Sequence, residues 1–374
     1  MQAGTTFPKG IHPAFWAAAV LGIGLLGLVS LSLAEVLPLP APAGAGVDGP
    51  RLAYFEFGRT ADTLWLTDPQ QPARREKLFA APHAREYGVV PSLVAEGGRF
   101  AYAALPPATR APTADTPADL WLAELKAGAQ PRRLAQGIDL LVRPVWSPDG
   151  KQIVFRRSGG AYALFAVDAA SGAERLLVAA AEALFPVGFA PDGRLYYVQL
   201  SSAGSDLLVV DPASGGQAYV ARLADGLTRD WALSPAGDRL AYLAMSFAPE
   251  RVSSRAHLLD LTNGRLAPIG TTDANDFSPV WSATGELAVG RLAAGQRGAG
   301  VLRLAGEDGS ALPGPALGFD VPLAPAPGGG FVVRSFEGAS ATAPGRSVLA
   351  VVGADGRRIT IASGEVTFLG WTQR

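Results

Sequence analysis

Hydrophobic and polar residues follow two different patterns along the chain. Near the start there is one long apolar run, and from about residue 51 onward apolar and polar residues alternate in short stretches. Clusters of Gly, Pro, Asp and Ser separate these stretches. Alternation with a period of two predicts β-strands with one buried face, and the clusters predict turns. The second part of the chain is therefore predicted to be all-β.

A turn of the type Trp-Ser-Pro-Asp-Gly recurs in this part, and an alternating strand follows each copy. Proline fixes φ, aspartate hydrogen-bonds the local backbone, and glycine supplies the positive φ that closes a tight hairpin. A second turn, which starts with Asp and ends with Gly, follows later in the repeat. Each unit thus predicts four strands, A to D, with hairpins between A and B and between C and D. The first turns start at Trp146, Phe189, Leu233 and Trp281, with weaker copies near Leu93 and Leu323, and the second turns are 168–172, 211–215, 260–264 and 355–356.

The copies are 42 to 53 residues apart, and four short strands per repeat of this length are typical of a β-propeller blade. The motif resembles the PD40, or WD40-like, repeat of TolB-type propellers, and the resemblance covers roughly residues 50–374. It implies an all-β propeller domain. We predict seven blades, with six as the alternative, because propellers that resemble TolB more often have six.

The two ends of this domain predict how the ring closes. Residues 52–79 supply strands B, C and D without an A strand, and residues 366–371 supply an A strand without successors. Together they form one blade from the N-terminal and C-terminal strands. Long connections between strands B and C predict an elaborated face on which a partner binds. These connections are 105–119, 246–255, 290–300 and 336–346.

Residues 14–34 form an apolar run of 21 positions without a charged side chain. As a helix this run is about 31 Å long, which matches the apolar core of a bilayer. We therefore predict one transmembrane helix, preceded by a short cytoplasmic N-terminus (1–13) and followed by a linker rich in Pro, Gly and Ala (35–50). Lys9 is the only Lys or Arg before the helix and favours an N-terminus inside the cell. A cleaved signal peptide is the alternative.

Small residues on the predicted helix, which are Ala18, Gly22, Gly24 and Gly27, would let another helix approach closely. The alternative is that glycine is simply common in membrane helices. The same segment matches the pattern GxGxxG, but no strand precedes it, so we do not interpret it as a nucleotide site. The predicted role of these residues is helix packing.

Composition argues against several classes of function. The chain has no cysteine, and its net charge of −1 gives no bulk attraction to nucleic acid. It has three histidines, none at a metal-ligand spacing, and no GxSxG motif. We therefore expect no catalytic residues, no metal and no cofactor, and a protein that is not an enzyme.

Acidic residues lie in the segments that lead into the A strands, which are close to the central mouth of a propeller. Carboxylates there would form a funnel for a cation or a basic partner. The alternative is ordinary loops in which the acids accept backbone hydrogen bonds. The candidate residues are Asp139, Glu182, Asp230, Asp276, Asp320 and Glu365.

Together these features predict a non-catalytic, membrane-anchored propeller that acts as a protein-binding scaffold or an accessory subunit of a larger envelope complex. Arginine far outnumbers lysine, and Ala, Gly and Pro dominate, which is typical of a GC-rich bacterial genome. The expected location is the bacterial cytoplasmic membrane, single-pass, with the propeller on the periplasmic or extracellular side. The expected partners are other subunits and the lipid bilayer, not nucleic acid. The alternatives are an extracytoplasmic enzyme, lactonase-like or glycan-processing, with its site at the acidic mouth, and a cell-wall carbohydrate binder.

Overall fold

A computed structural model describes residues 49–157, 159, 161–248, 251–269, 274–305, 308–338 and 345–372. Within these residues the regular structure is 28 β-strands and one short 3-10 turn at Glu96–Gly98, so the all-β prediction is confirmed. Over the same residues no helix combines the length and the hydropathy needed to cross a bilayer. The predicted transmembrane helix (14–34), the segment before it (1–13) and the linker as far as residue 48 lie outside the described residues. So do the predicted helix-packing residues Ala18, Gly22, Gly24 and Gly27.

The first sheet joins the two ends of the described chain. Its strand order is β28-β1-β2-β3, and all neighbours are antiparallel. Tyr54 lies opposite Phe368 in the β1–β28 pair, which confirms the predicted pairing of the N-terminal and C-terminal strands. The strands are β1 (Leu52–Glu56), β2 (Ala61–Thr67), β3 (Arg75–Pro82) and β28 (Val366–Trp371).

The next eight strands form one larger sheet made of two groups of four. A single register pair, Ile138 with Arg157, joins the groups. Two of the first strands are very short, because Pro91 and Pro144 limit hydrogen bonding there. The first group is β4 (Val90–Pro91), β5 (Arg99–Ala104), β6 (Ala118–Glu124) and β7 (Arg132–Ile138), and the second is β8 (Val145–Trp146), β9 (Gln152–Arg157), β10 (Tyr162–Asp168) and β11 (Glu174–Ala180).

Four further sheets each contain four consecutive antiparallel strands. The first is β12 (Ala183–Phe189), β13 (Leu195–Ser201), β14 (Gly204–Val210) and β15 (Gln217–Ala224). The second is β16 (Thr228–Leu233), β17 (Arg239–Ala248), β18 (Arg251–Asp260) and β19 (Leu266–Pro268). The third is β20 (Ala274–Trp281), β21 (Leu287–Ala293), β22 (Val301–Ala305) and β23 (Asp308–Ala311). The fourth is β24 (Phe319–Pro325), β25 (Phe331–Phe336), β26 (Ser347–Val352) and β27 (Arg358–Ser363).

The repeated turns adopt the conformations that their residues predict. In the turn before β9, Asp149 accepts a hydrogen bond from the amide of Lys151 at 3.0 Å, and Gly150 has a φ of 63°. In the turn after β10, Asp168 accepts a hydrogen bond from the amide of Ser171 at 2.7 Å. The turn chemistry that reveals the repeat in the sequence is therefore the chemistry that closes the hairpins.

Tryptophans at the start of two of these turns connect neighbouring groups of four strands. The indole Nε1 of Trp146 donates to Oγ of Ser92 at 3.0 Å. The indole of Trp281 donates to the carbonyl of Ala232 at 2.9 Å, and the guanidinium of Arg239 lies 4.6 Å from the centre of the Trp281 ring. Both tryptophans therefore pack between neighbouring groups of four strands.

One predicted loop is a pair of strands instead. Residues 246–255 were expected to form a long connection, but β17 and β18 stay paired as far as Ala248 and Arg251. Phe247 and Val252 are cross-strand partners there, and aromatic and β-branched residues favour such pairing. The other three predicted connections do separate strands, at 105–117, 294–300 and 337–346, although 339–344 lie outside the described residues.

Candidate functional site: a central cavity

The first strands of the sheets, or the segments beside them, converge on a cavity of about 550 Å³, here called the central cavity. This volume is in the usual range for a small-molecule or peptide pocket. Every group of four strands contributes to its wall through at least one residue of its first strand or of the segment next to that strand. Representative contributors are Leu93, Arg143, Phe185, Trp231, Phe277, Phe319 and Phe368.

Aromatic and aliphatic side chains make much of the wall apolar. Phe277, Phe319 and Phe336 form a row, with ring centres 5.0 Å and 5.2 Å apart. Leu93 and Leu141 also line the cavity, and they are 48% and 41% exposed. Large apolar side chains left open to water inside a concavity are typical of a surface that a ligand covers.

Two residues in the cavity wall have a backbone conformation that L-amino acids rarely adopt. Asp230 has a φ of 53° and Ser278 a φ of 42°. Both lie at β-bulges, where the registers of β16 with β17 and of β20 with β21 shift. Such conformations cost about 1–3 kcal/mol each and cluster at functional sites. The bulges turn these two positions toward the cavity.

Two of the predicted acidic residues, Asp139 and Asp230, line the central cavity. Asp139 accepts hydrogen bonds from Nε and Nη2 of Arg156 at 3.0 Å and 2.6 Å, and both side chains are buried. Asp230 accepts a hydrogen bond from Nε of its neighbour Arg229 at 3.0 Å. The two carboxylates are therefore neutralised by arginines of the same wall.

Asp276 and Asp320 are 1% exposed and do not line the cavity. Arg291 holds Asp276 with two hydrogen bonds, from Nε at 2.7 Å to one oxygen and from Nη2 at 3.0 Å to the other. Arg358 holds Asp320 in the same bidentate way, at 3.1 Å and 2.6 Å. Bidentate pairs of this kind are strong and geometrically specific, so they fix the strands that carry them relative to each other. The sequence reasoning placed these acids near the mouth but did not find their partners.

Glu182 and Glu365 precede the first strands β12 and β28 and do not line the cavity. Glu182 accepts a hydrogen bond from Gln199 at 3.3 Å. Burial raises the pKa of Glu365, while Arg334 opposes this rise. The structure thus brings Asp139 and Asp230 to one cavity and leaves the other four acids outside it. Among the described residues, no three Asp, Glu or His side chains are grouped in a way that could hold a metal ion. Whether these acids contact a partner stays a prediction.

Two cationic residues of the cavity were missed by the sequence reasoning. Arg143 precedes β8 by two residues, in the type of segment whose acids alone were expected at the mouth. Arg334 interrupts the apolar strand β25, which is a visible signal in the sequence. A charged residue between Val333 and Ser335 in a largely buried strand needs either a partner or a ligand.

Strand register explains why Arg334 has no carboxylate partner within the described part of the chain. In the sheet of β20 to β23, Asp276 is the direct register partner of Arg291 and forms an ion pair with it. In the sheet of β24 to β27, the residue opposite Arg334 is Val321, because Asp320 lies opposite Ser335. Side chains alternate between the faces of a sheet, so a shift of one position directs Arg334 away from the acid. Arg334 therefore faces the cavity with Val321.

The pKa values of both arginines reflect this position. Arg143 is exposed to the cavity but lies deep inside the molecule, and this depth lowers the pKa of Arg143, whereas nearby Asp230 opposes the shift. Burial also lowers the pKa of Arg334, and the positive charge of Arg143 lowers it further, whereas the carboxylate of Glu365 opposes both effects. Like charges thus act on each other within one apolar cavity.

A second buried polar group lies in the first sheet. His83 is 1% exposed, and its Nε2 is 2.9 Å from Oδ1 of Asp62, while its Nδ1 is 2.8 Å from the carbonyl of Ala84. A carbonyl only accepts, so Nδ1 carries a proton, and a carboxylate at Nε2 favours a second one. Burial alone would lower the pKa of His83, but these bonds outweigh it and raise the pKa. Neither residue lines the central cavity.

Comparisons with known proteins place the fold. No family model matches the sequence, and no curated protein matches it. The structure of TolB from Acinetobacter baumannii superposes with a TM-score of 0.51 at 15% identity, over 86% of this chain and 66% of that one. The fold is that of a TolB-like β-propeller. An oligogalacturonate lyase in complex with manganese superposes on the propeller with a TM-score of 0.55 at 13% identity, over 84% of this chain and 85% of the lyase.

The presence of enzymes among these similar structures corrects one expectation. The protein was expected not to be an enzyme, because no catalytic motif is visible in its sequence. A prolyl endopeptidase also matches, with a TM-score of 0.54 at 14% identity, over 85% of this chain and 50% of that one. The same fold therefore occurs in enzymes as well as in TolB. The expectation of a non-enzyme was wrong as an inference from missing motifs, since the fold does not decide catalytic status.

Proposed function

We propose that the protein is a membrane-tethered, seven-bladed propeller that captures a segment of a partner protein in its central cavity, as an accessory subunit of a bacterial envelope complex. The predicted helix at 14–34 would hold it in the cytoplasmic membrane, with the propeller on the periplasmic or extracellular side. The observation that carries the proposal is the central cavity itself, whose apolar wall leaves Leu93 and Leu141 largely exposed.

The seven-blade count is supported by the pairing of strands. Five sheets have four strands each, and the larger sheet consists of two groups of four that meet at the single pair of Ile138 and Arg157. One pair at a strand end is a contact between neighbouring blades rather than a continuous sheet. Counting these groups separately makes seven four-stranded units.

The chain ends support an orientation with the cavity facing away from the bilayer. The amide of Arg51 donates to Oγ1 of Thr372 at 2.9 Å, so the two ends of the propeller leave it side by side. Residues of the 105–117 connection, Ala114 and Asp115, belong to the cavity wall. That connection joins second and third strands, and it therefore lies at the opposite end of the strands from Arg51. A tether at the N-terminal end leaves this mouth open to a partner.

Site-specific photocrosslinking in the native membrane tests the proposal. A benzoylphenylalanine at Leu141, which is exposed inside the cavity, should form a covalent adduct with one partner of defined mass. The matched control is the same replacement at Leu176, which is 52% exposed on the outermost strand β11. Peptide mapping should place the adduct on one segment of the partner. Absence of an adduct at Leu141, or an equal set of adducts at Leu176, would overturn the proposal.

A second candidate function is small-molecule chemistry or carbohydrate binding in the same cavity. The strained Asp230 and Ser278 favour it, because their backbone conformations hold two polar side chains in the cavity wall beside its apolar surface. Asp230→Gly should relieve the strain and stabilise the fold, while it abolishes turnover or sugar binding if the side chain acts on a ligand. Retention of ligand binding or turnover in this variant would remove Asp230 from the site.

A further inference from the structure

Two guanidinium groups line the central cavity without a carboxylate partner. Across the residues that the structure describes, Arg143 has no salt bridge or hydrogen bond, and Arg334 donates from Nη2 to the carbonyl of Val366 alone. The Nε of Arg334 is buried and has no partner among those residues. The buried Nε of Arg334 is thus an unused charged donor, which is costly unless something binds to it. Arg143 adds a guanidinium that is unpaired among the described residues and exposed to the same cavity.

Asp230 and Glu365 act on Arg143 and Arg334 electrostatically, but within the described residues neither acid forms a hydrogen bond or salt bridge with these arginines. The other charged groups of the cavity wall are paired or exposed. Arg156 and Arg229 are paired with Asp139 and Asp230. The remaining acid of the wall, Asp115, is an exposed residue of the 105–117 connection. The wall therefore holds four arginines and three aspartates, and its excess positive charge lies at Arg143 and Arg334. An anion near both would relieve their mutual repulsion.

The surroundings of these arginines define the rest of the ligand. The row of Phe277, Phe319 and Phe336 and the exposed Leu141 provide apolar surface in the same cavity. Guanidinium groups bind planar carboxylates well, and they do so most strongly where water is excluded. A fully hydrated inorganic ion would leave the apolar surface uncovered.

We infer that the central cavity binds a carboxylate carried next to an apolar group, with Arg143 and Arg334 as its two cationic contacts. The inference rests on the proposed function and specifies the partner segment: a peptide with an acidic side chain or a free C-terminus beside a large apolar residue. In either case the carboxylate lies between the guanidiniums, and the apolar side chain lies against the phenylalanine row.

Calorimetric titration of the full-length protein in detergent with four short peptides tests this. N-acetyl-Leu-Phe with a free carboxylate is compared with its C-terminal amide, and N-acetyl-Leu-Glu-Phe-amide with its Gln counterpart. One acidic peptide should bind at least about ten-fold more tightly than its uncharged partner, because a hydrogen bond to a charged group is involved. The pair that shows the difference identifies the source of the carboxylate. Equal binding within both pairs, or no binding of any peptide, would overturn the inference.

Variants connect the binding to the two arginines. R143Q should fold normally, because Arg143 makes no hydrogen bond or salt bridge with the described residues. It should weaken the binding of the acidic peptide about ten-fold and leave the binding of the uncharged peptide unchanged. R334Q should act similarly, and R334K, which keeps the charge, should recover part of the loss. The matched control is R194Q, since Arg194 is paired with Asp192 at 2.7 Å in an exposed turn. An R143Q protein that binds the acidic peptide like the wild type contradicts the inference.

The two proposals fail in different ways. If crosslinking at Leu141 finds a partner but the acidic and uncharged peptides bind equally, partner capture stands and the anion site is wrong. If the acidic peptide binds through Arg143 and no partner crosslinks in the membrane, the anion site stands and the accessory-subunit function is wrong.

Discussion

Tyr54 in β1 and Phe368 in β28 are direct antiparallel partners, although they come from opposite ends of the propeller. Both are buried, and their side chains belong to a core cluster that also contains Val332 and Leu349. On the other face of β28, Leu369 packs with Phe55 and Phe100. The C-terminal strand therefore contributes to two cores at once, and the closure of the ring depends on it.

Leu369→Ala should destabilise the propeller by about 2–5 kcal/mol, since Leu369 is fully buried at 0% exposure and its loss leaves a cavity. The measurement is the free energy of unfolding of the full-length protein in detergent, from denaturant titration followed by tryptophan fluorescence. Leu176→Ala is the control, because that leucine is 52% exposed, and a change within about 0.5 kcal/mol is expected. Equal effects of the two substitutions would show that β28 does not close the ring.

Trp281→Phe should cost more stability than Trp65→Phe. The indole of Trp281 donates to the carbonyl of Ala232 at 2.9 Å, and its loss leaves that carbonyl without the bond, at a cost of about 1–3 kcal/mol. The buried indole nitrogen of Trp65 has no partner among the described residues, so its removal should be neutral or stabilising. Both rings carry a stacked arginine, Arg239 and Arg75, which makes the pair well matched. The difference in thermal unfolding midpoint measures the effect, and a larger loss for Trp65→Phe would contradict it.

Arg291→Met should destabilise the protein by about 3–5 kcal/mol, because it leaves the buried carboxylate of Asp276 without its counter-charge. Asp276→Asn in the same chain removes that charge and should recover part of the loss. The coupling between the two substitutions in a double-mutant cycle is the test. Purely additive effects would mean that the ion pair does not act as a unit.

Stability should fall as pH rises through the folded-state pKa of His83. Burial opposes the charge of His83, but the bonds to Asp62 and Ala84 outweigh it and hold the pKa above its ordinary value. The imidazolium therefore stabilises the fold fully below about pH 6.5, the unfolded value, and this contribution is lost at higher pH. Denaturant titrations from pH 5 to 9 should show the decline, and His83→Gln should remove it.

His257 provides the control for this prediction, because its shift has the opposite sign. Burial in β18 lowers the pKa of His257, so the folded state prefers the neutral ring. Its contribution is present above the unfolded pKa and is lost as pH falls through the folded pKa. His257→Gln should therefore flatten the acid side of the stability profile and leave the decline attributed to His83 intact. If His83→Gln leaves the alkaline decline unchanged, the His83–Asp62 pair is not its source.

The limits of sequence reasoning are clearest at Asp276 and Arg334. Both belong to alternating strands that the turns delimit well, so their strands were predictable. Whether each charged side chain has an ion-pair partner was not predictable, because this depends on which residue lies opposite it in the neighbouring strand. Asp276 faces Arg291, whereas Arg334 faces Val321, and local patterns do not record the register between strands. The sequence therefore indicated the aspartates of the buried ion pairs but not the arginines that bind them.

The sequence by itself determined the repeat, its hairpins and the strand pair of Tyr54 and Phe368, since Pro, Asp and Gly act through the backbone of their own turn. Only the tertiary structure decided which charges meet. It paired Asp139 with Arg156 and left Arg143 and Arg334 together in an apolar cavity. Coulombic interactions and desolvation depend on distances between separate strands, and these distances exist only once the chain has folded.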